Sequence, residues 1–375
     1  MPNRNSTSAA EPIAVVTGAA GQDGGFLVQR LVQEGFRVHA IVRTASNFPW
    51  GMIDGFGDRV ELHELDFRDP EPVAGLIARL SPSELYNLAG ASSVSKSFME
   101  PELTWMTNAT VIAHILEAVR TRTPSTRMYQ ASSSEMFGWI PGGSVVHGED
   151  APFLPQSPYA AAKAAAHLLC ITYRRAYGLR VACGILFNHE SRRRGSTFLT
   201  RKVTDHVRML RSSPEPLRRP PLALGNLKVR RDWGFAPDYV DGMCRILRQV
   251  EVRATVAGLP PQADEGSAYR DYVLGTGQTH AVWELVGRAF ELGGFKLTWE
   301  VDGDDPLRWS ARFTPGGIPA VVVDATFLRP SDPLVIQADA GRARRELGWA
   351  PSPGLDPFLT DMLADPDGDP EADPR

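Results

Sequence analysis

The sequence predicts an α/β protein in which a doubly wound parallel sheet carries a smaller mixed α/β domain. Three observations predict it. From residue 13 to about residue 188, short apolar runs alternate with amphipathic helical stretches, the pattern of a parallel sheet covered on both faces. The first run enters the glycine-rich stretch TGAAGQDGGFL, which reads as a strand, a tight turn and the start of a helix. After Asn188 the rhythm changes to helical segments separated by Pro-rich connections such as SSPEPLRRPPLALG.

Taken in order, IAVVTG is a strand, FLVQRLVQEG a helix, and RVHAIVR, VELHELDF, ELYNLAG, RMYQASSS and RVACGILFN further strands. Gly and Pro punctuation at their ends favours strands over buried helices. Helices are expected around 201–210, 239–250 and 281–292, with short strands near LALGNL, YVLGTG and AVVVDA. The domain expectation is a flexible lead-in over 1–12 and a dinucleotide-binding domain over 13–187, with a returning segment at about 231–262. A second domain spans 188–230 and 263–362, and a flexible tail 363–375. The tail's ADPDGDPEADPR has almost nothing to bury.

At 375 residues the chain is long enough for two domains. Its 43% hydrophobic and 22% charged content are those of a globular protein. With 40 basic against 44 acidic residues the net charge is −4, so no overall field favours nucleic acid or an anionic membrane. No run approaches the roughly 20 apolar residues of a membrane helix, and MPNRNSTSAAEP lacks the apolar core of a signal peptide. Cys170, Cys183 and Cys244 are odd in number and widely spaced, as suits free, buried thiols in a reducing cytoplasm. The eight histidines show no metal-ligand spacing such as HExxH, so no metal is expected.

Gly18, Gly21 and Gly24 give GxxGxxG between strand and helix. Glycine lets backbone amides approach a pyrophosphate, and the helix N-terminus adds a favourable dipole; a plain turn is the alternative. The second strand ends in IVRTAS, without the acidic residue that would hold a free ribose 2′-hydroxyl. Arg43 there suits a 2′-phosphate, hence NADP, with NAD left possible; a solvated loop charge is the other reading. Asp66 at the end of the third strand either reaches the adenine edge or caps the next helix.

In SPYAAAK, Tyr159 and Lys163 lie four residues apart in an alanine-rich helical run, and so on one helix face. A phenol accepts a proton at neutral pH only where nearby positive charge favours phenolate. Upstream, RMYQ runs into ASSSE, bringing hydroxyls and a carboxylate to the sheet's carboxyl end. This order of parts resembles the extended short-chain dehydrogenase/reductase superfamily, of Rossmann type. The segments TGAAGQDG, YQASSSEMFG, SPYAAAK, GILFNHESRRRGSTFLTRKV, LGNLKVRRDWGFAPDYV and RRELGWAP resemble those of GDP-mannose 4,6-dehydratases.

That resemblance implies a lyase acting on a GDP-hexose. Tyr159 is then the base, Lys163 the residue that binds the nicotinamide ribose and lowers the phenol's pKa, and Ser133 and Glu135 the rest of the catalytic set. It implies cofactor contacts from Gly18, Gly21, Gln22, Asp23 and Gly24, from Arg43, Asp66 and Phe67, from Leu88 and Ala89, and from Lys163, His189 and Arg194. Ser92, Asn188, Lys202, Arg231 and Arg329 would hold the sugar nucleotide, and the protein would be a homodimer or homotetramer. Where Ser133 stands the family usually has threonine. Arg192 replaces a proline, Leu103 a tyrosine, Asp332 a glutamate, and Thr44 one of two consecutive arginines in a loop that joins dimers into tetramers. Alternatives are an epimerase or dehydrogenase of a modified GDP-sugar, or a non-catalytic nucleotide sensor.

Overall fold

Seven parallel strands make the larger sheet of the computed structural model: β1 (Ile13–Thr17), β2 (Arg37–Val42), β3 (Val60–Glu64), β4 (Glu84–Asn87), β5 (Arg127–Ser133), β6 (Val181–Leu186) and β7 (Tyr272–Leu274). Their order across the sheet is β7-β6-β5-β4-β1-β2-β3, and every pairing is parallel. The order reverses between β1 and β4, so the crevice of a Rossmann-type sheet opens at their carboxyl ends. The structure describes residues 11–53, 55–139, 145–256, 267–301, 303, 305–328 and 334–364. Most of the lead-in and tail, together with Arg329 and Asp332, lie outside them.

Alternation along the strands assigns the two faces. Ala14, Val16, Val38 and Ala40 pack beneath α1 (Gln22–Gln33) and, from much later in the chain, Tyr239, Val240 and Met243. Val15, Ile41, Leu85 and Met128 face α2 (Pro70–Leu80), α3 (Val111–Arg122) and α4 (Pro158–Tyr177). All but a few of these side chains are fully buried, each contributing about 1.5–3 kcal/mol of transfer free energy.

The remaining elements serve a second core. There α5 (Leu199–Ser212), α7 (Val282–Leu292) and the helix Asp356–Leu363 cover a sheet of Leu297–Glu300, Ser310–Phe313, Pro319–Val323 and Leu222–Leu224. Between α5 and α7 in the chain, α6 (Ala236–Leu247) packs Tyr239 and Val240 into the first core. Two details correct the sequence reading. YVLGTG was expected in the second domain, but Tyr272–Leu274 pairs with Gly184–Leu186 as the edge of the large sheet, because β6 would otherwise leave a ladder of buried backbone groups unpaired. Leu363, placed in the tail, is a buried helix residue of the second core.

Candidate active site

At the end of β1, Gly18 adopts φ +68°, a left-handed conformation open to glycine at little cost. A Cβ there would lie 2.9 Å from the backbone nitrogen of Ala89. The Gly21 amide donates to the Gly18 carbonyl at 2.9 Å, and a Cβ on Gly24 would lie 2.3 Å from that same oxygen. Turn, close approach and helix-to-strand packing are thus each assigned to one glycine, which favours the dinucleotide reading over a plain turn. No side chain caps the N-terminus of α1, which leaves its first amides for an anion.

The adenosine end is more open. Arg43 is exposed, and Asp66, also exposed, pairs with Arg68 at 2.5 Å and feels the charge of Arg43. The capping alternative for Asp66 falls away, because Asp69 caps α2 through the Glu71 amide. Phe67 packs partly against the α2–α3 core. Across the crevice the amides of Leu88 and Ala89 both donate to Thr17 Oγ1 at 3.1 Å, and Ser92 follows on the surface.

The helix α4 begins where Ser157 accepts the Ala160 amide and Pro158 takes the first helical position, a start that alanine-rich sequence then propagates. It buries Tyr159 and Lys163 on one face against the end of β5. There Ser133 ends the strand and caps the short helix Ser134–Phe137, accepting the Glu135 amide. The Ser133 hydroxyl lies within electrostatic reach of the Tyr159 phenol. Burial pushes the Tyr159 phenol up to about 12; the Ser133 hydroxyl and Arg194 oppose the rise, while Glu135 and Asp23 add to it. Four of the expected residues, Ser133, Glu135, Asp23 and Arg194, thus act electrostatically on the phenol.

Lys163 stands back from the phenol in this structure. Its Nζ donates to the Ala131 carbonyl at 3.0 Å and sits 6.0 Å from the Tyr159 ring centroid. Burial lowers its own pKa to about 8. The same desolvation disfavours both phenolate and ammonium, so the phenol needs a further cation beside it to ionise.

Sequence reasoning missed the polar chain behind the lysine. Thr17 Oγ1 donates to Asn87 Oδ1 at 2.6 Å, Asn87 Nδ2 to Gln130 Oε1 at 2.8 Å, and Gln130 Nε2 to the Ala131 carbonyl at 2.9 Å. The signal was present: a polar residue ends each of three short strand runs, IAVVT, ELYN and RMYQ.

The segment after β6 closes the cradle. His189 donates to the Phe187 carbonyl at 2.7 Å through Nδ1 and meets Asp23 at 2.9 Å through Nε2. Burial pulls this imidazole's pKa down, but the Asp23 carboxylate outweighs it and raises it. Gln22 Nε2 donates to the His189 carbonyl at 3.0 Å, and Arg193 reaches the Ala20 carbonyl at 3.2 Å. Arg194 pairs with Glu190 at 3.0 Å. Among the expected sugar-nucleotide residues, Asn188 begins the short strand Asn188–Glu190 and Lys202 lies on α5 with Nζ over the Phe327 ring. Arg231 donates to the Arg230 carbonyl at 2.9 Å.

A tyrosine and lysine one turn apart, set against a strand-end hydroxyl beside a dinucleotide cradle, define the extended short-chain dehydrogenases/reductases. The family described as GDP-mannose 4,6 dehydratase matches residues 15–362. A GDP-mannose 4,6 dehydratase of Drosophila melanogaster is 35% identical over 363 residues, 94% of this chain and 85% of the relative. GDP-mannose 4,6 dehydratase 2 of Arabidopsis thaliana is 37% identical, over 94% of this chain and 86% of the relative. The chain belongs to the GDP-mannose 4,6-dehydratase family. In fold it also matches dTDP-glucose 4,6-dehydratase of Bacillus anthracis in complex with NAD, with a TM-score of 0.69 at 18% identity, covering 94% of this chain and 95% of that one.

Proposed function

We propose that the protein dehydrates GDP-mannose to GDP-4-keto-6-deoxymannose, and that Ser133, Glu135, Tyr159 and Lys163 carry the reaction. The observation that supports this assignment is the placement of Tyr159 and Lys163 on one buried face of α4, packed against the strand end where Ser133 caps the short helix that carries Glu135. When bound in the Gly18–Gly24 cradle, NADP would supply a hydride acceptor toward C4 and a donor toward C6, ending as it began. The chain supplies the proton chemistry. Tyr159 accepts the proton of the sugar's 4-hydroxyl while Ser133 Oγ hydrogen-bonds that oxygen. The 4-ketone acidifies C5–H, and Glu135 takes this proton and helps the 6-hydroxyl leave as water. Serine in place of the usual threonine keeps the hydroxyl and drops a methyl. Lys163 orients the nicotinamide ribose, and Arg43 suits the 2′-phosphate of NADP. Asn188, Lys202, Arg231 and Arg329 are assigned to the GDP moiety, where cationic donors suit phosphate oxygens.

We read the assembly as a homodimer, or a tetramer built from two. The helices Val94–Met99 and Pro101–Trp105, which touch α4, expose Phe98 at 61%, Met99 at 83% and Trp105 at 48%, beside Leu168 of α4 at 52%. Apolar groups this exposed and this close together are the mark of a protein interface. None of the described helices is long and apolar enough to cross a membrane, and the three buried free cysteines suit the reducing cytoplasm.

The test is incubation with GDP-mannose and substoichiometric NADP, followed by mass spectrometry. Loss of one water without net NADPH is expected, and Tyr159→Phe lowers turnover by about 10²–10⁴ while leaving nucleotide binding in place. An unchanged mass with altered stereochemistry, as an epimerase gives, would refute the proposal. Glu135→Gln spares oxidation at C4 more than loss of water; equal retention of both steps removes its assigned role.

A further inference from the structure

Strands β2 and β3 bring together two histidines and a glutamate far from the crevice chemistry. In the parallel register His39 lies opposite Glu61, and His63 lies two residues beyond, so all three project from the face that α2 covers. His39 Nδ1 is 2.9 Å from His63 Nε2, although the residues are 24 apart in sequence. The rings stack, with centroids 5.2 Å apart and planes at 21°. One carboxylate oxygen of Glu61 lies 3.6 Å from His39 Nδ1 and the other 3.6 Å from His63 Nε2.

We propose that His39, Glu61 and His63 form a binding site for a borderline divalent transition-metal cation of the zinc class. Two imidazoles and a carboxylate are a donor set such cations take. With metal–nitrogen bonds of about 2.0–2.1 Å, tetrahedral ligand atoms stand roughly 3.3–3.4 Å apart. The separations of 2.9, 3.6 and 3.6 Å bracket that value. Site access differs from donor to donor: the His39 side chain is 5% exposed, His63 17% and Glu61 56%, which leaves an outer position for water. Burial lowers both histidines' pKa values. Metal binding then needs one ring to move its proton from the shared N···N contact to its other nitrogen, with no net proton lost. Arg37 faces His39 and Arg79 faces His63; both are exposed and screened by water. Occupancy would clip together the two strands whose ends carry Arg43 and Asp66.

A second cluster, His167, Cys183 and Asp271, serves as the internal control. Its carboxylate is already neutralised by both guanidinium nitrogens of Arg174, each at 2.7 Å, and accepts the Cys183 amide at 2.7 Å. A further cation beside Arg174 would be repelled.

The experiment is calorimetric titration of the untagged full chain with zinc chloride, in a buffer that does not chelate metals. One zinc per chain is expected. His63→Ala and Glu61→Gln each weaken binding at least tenfold, and Cys183→Ser leaves it unchanged. Zinc also raises the melting temperature of the parent protein and not that of the variants. Glu61 is exposed enough that Glu61→Gln keeps the fold, so it decides the matter even where His63→Ala does not. No saturable zinc binding, undiminished affinity in Glu61→Gln, or loss of binding in Cys183→Ser would each overturn the site.

Discussion

Replacing Lys163 by methionine makes the free protein more stable while ending catalysis. The ammonium is buried, and burial is the cause that draws its pKa from 10.5 to about 8. At about 1.36 kcal/mol per pH unit of displacement, that fall corresponds to roughly 3 kcal/mol spent on keeping the charge at pH 7. Methionine matches the stem in length and fills the slot without a charge. The Ala131 carbonyl is not orphaned, because Gln130 Nε2 still donates to it. A net gain of about 1–3 kcal/mol at pH 7 is expected once altered packing is allowed for. The sign is set by linkage. Between about 8 and 10.5 the unfolded lysine binds a proton that the folded one lacks, so parent stability rises with pH across that window. The variant's advantage shrinks over the same range and vanishes above it. Urea unfolding at pH 7 and near pH 10, both proteins side by side, reads this directly. A variant less stable than the parent at pH 7, or an advantage indifferent to pH, would refute the electrostatic account of the site.

Two further predictions concern packing and charge. In Gly24→Ala the new Cβ meets the Gly18 carbonyl at 2.3 Å where ordinary contact starts at 3.4 Å, and both partners are backbone. Helix α1 must therefore draw back from the cradle; calorimetry should show NADP binding weakened at least tenfold alongside a stability loss of about 1–3 kcal/mol, and unchanged NADP affinity would count against the cradle. Asp271→Asn removes the charge partner of buried Arg174 and should cost about 3–5 kcal/mol in urea unfolding at neutral pH. Burial pushes the Asp271 carboxyl up, but Arg174 outweighs it and holds it below the ordinary range. Its contribution is thus present above pH 3.8 and is lost as pH falls through the depressed value; a variant matching the parent at pH 7 contradicts this.

The strands of the larger sheet were legible because burial on both faces writes them as short apolar runs between Gly and Pro. Tyr159, Lys163, Ser133 and Glu135 were legible because each pair lies close in sequence on one helix face or one strand end. What the sequence did not carry is pairing between distant segments. YVLGTG reads correctly as a strand, yet nothing local says that it closes the first sheet. His39 and Glu61-x-His63 carry no common spacing, since their proximity comes from the β2–β3 register. The tyrosine–lysine electrostatics lie beyond the sequence for a related reason. Spacing shows that two groups share a face, but the balance of desolvation against attraction depends on how deeply that face is buried.

That balance is itself set from the first strand. Thr17 Oγ1 accepts two backbone amides, from Leu88 and Ala89, and so both its lone pairs are used and its single proton goes to Asn87 Oδ1. Asn87 is then fixed with its amide nitrogen toward Gln130 Oε1, and Gln130 in turn with its nitrogen toward the Ala131 carbonyl. Aligned donors polarise one another in a low-dielectric interior, and the chain ends on the carbonyl that also accepts the Lys163 ammonium. Were the chain reversed, Gln130 Oε1 would face the Ala131 carbonyl oxygen and two acceptors would meet. The turn that carries Leu88 and Ala89 past the glycine cradle therefore also fixes, through three adjacent strands, the amide that shares the Ala131 carbonyl with Lys163.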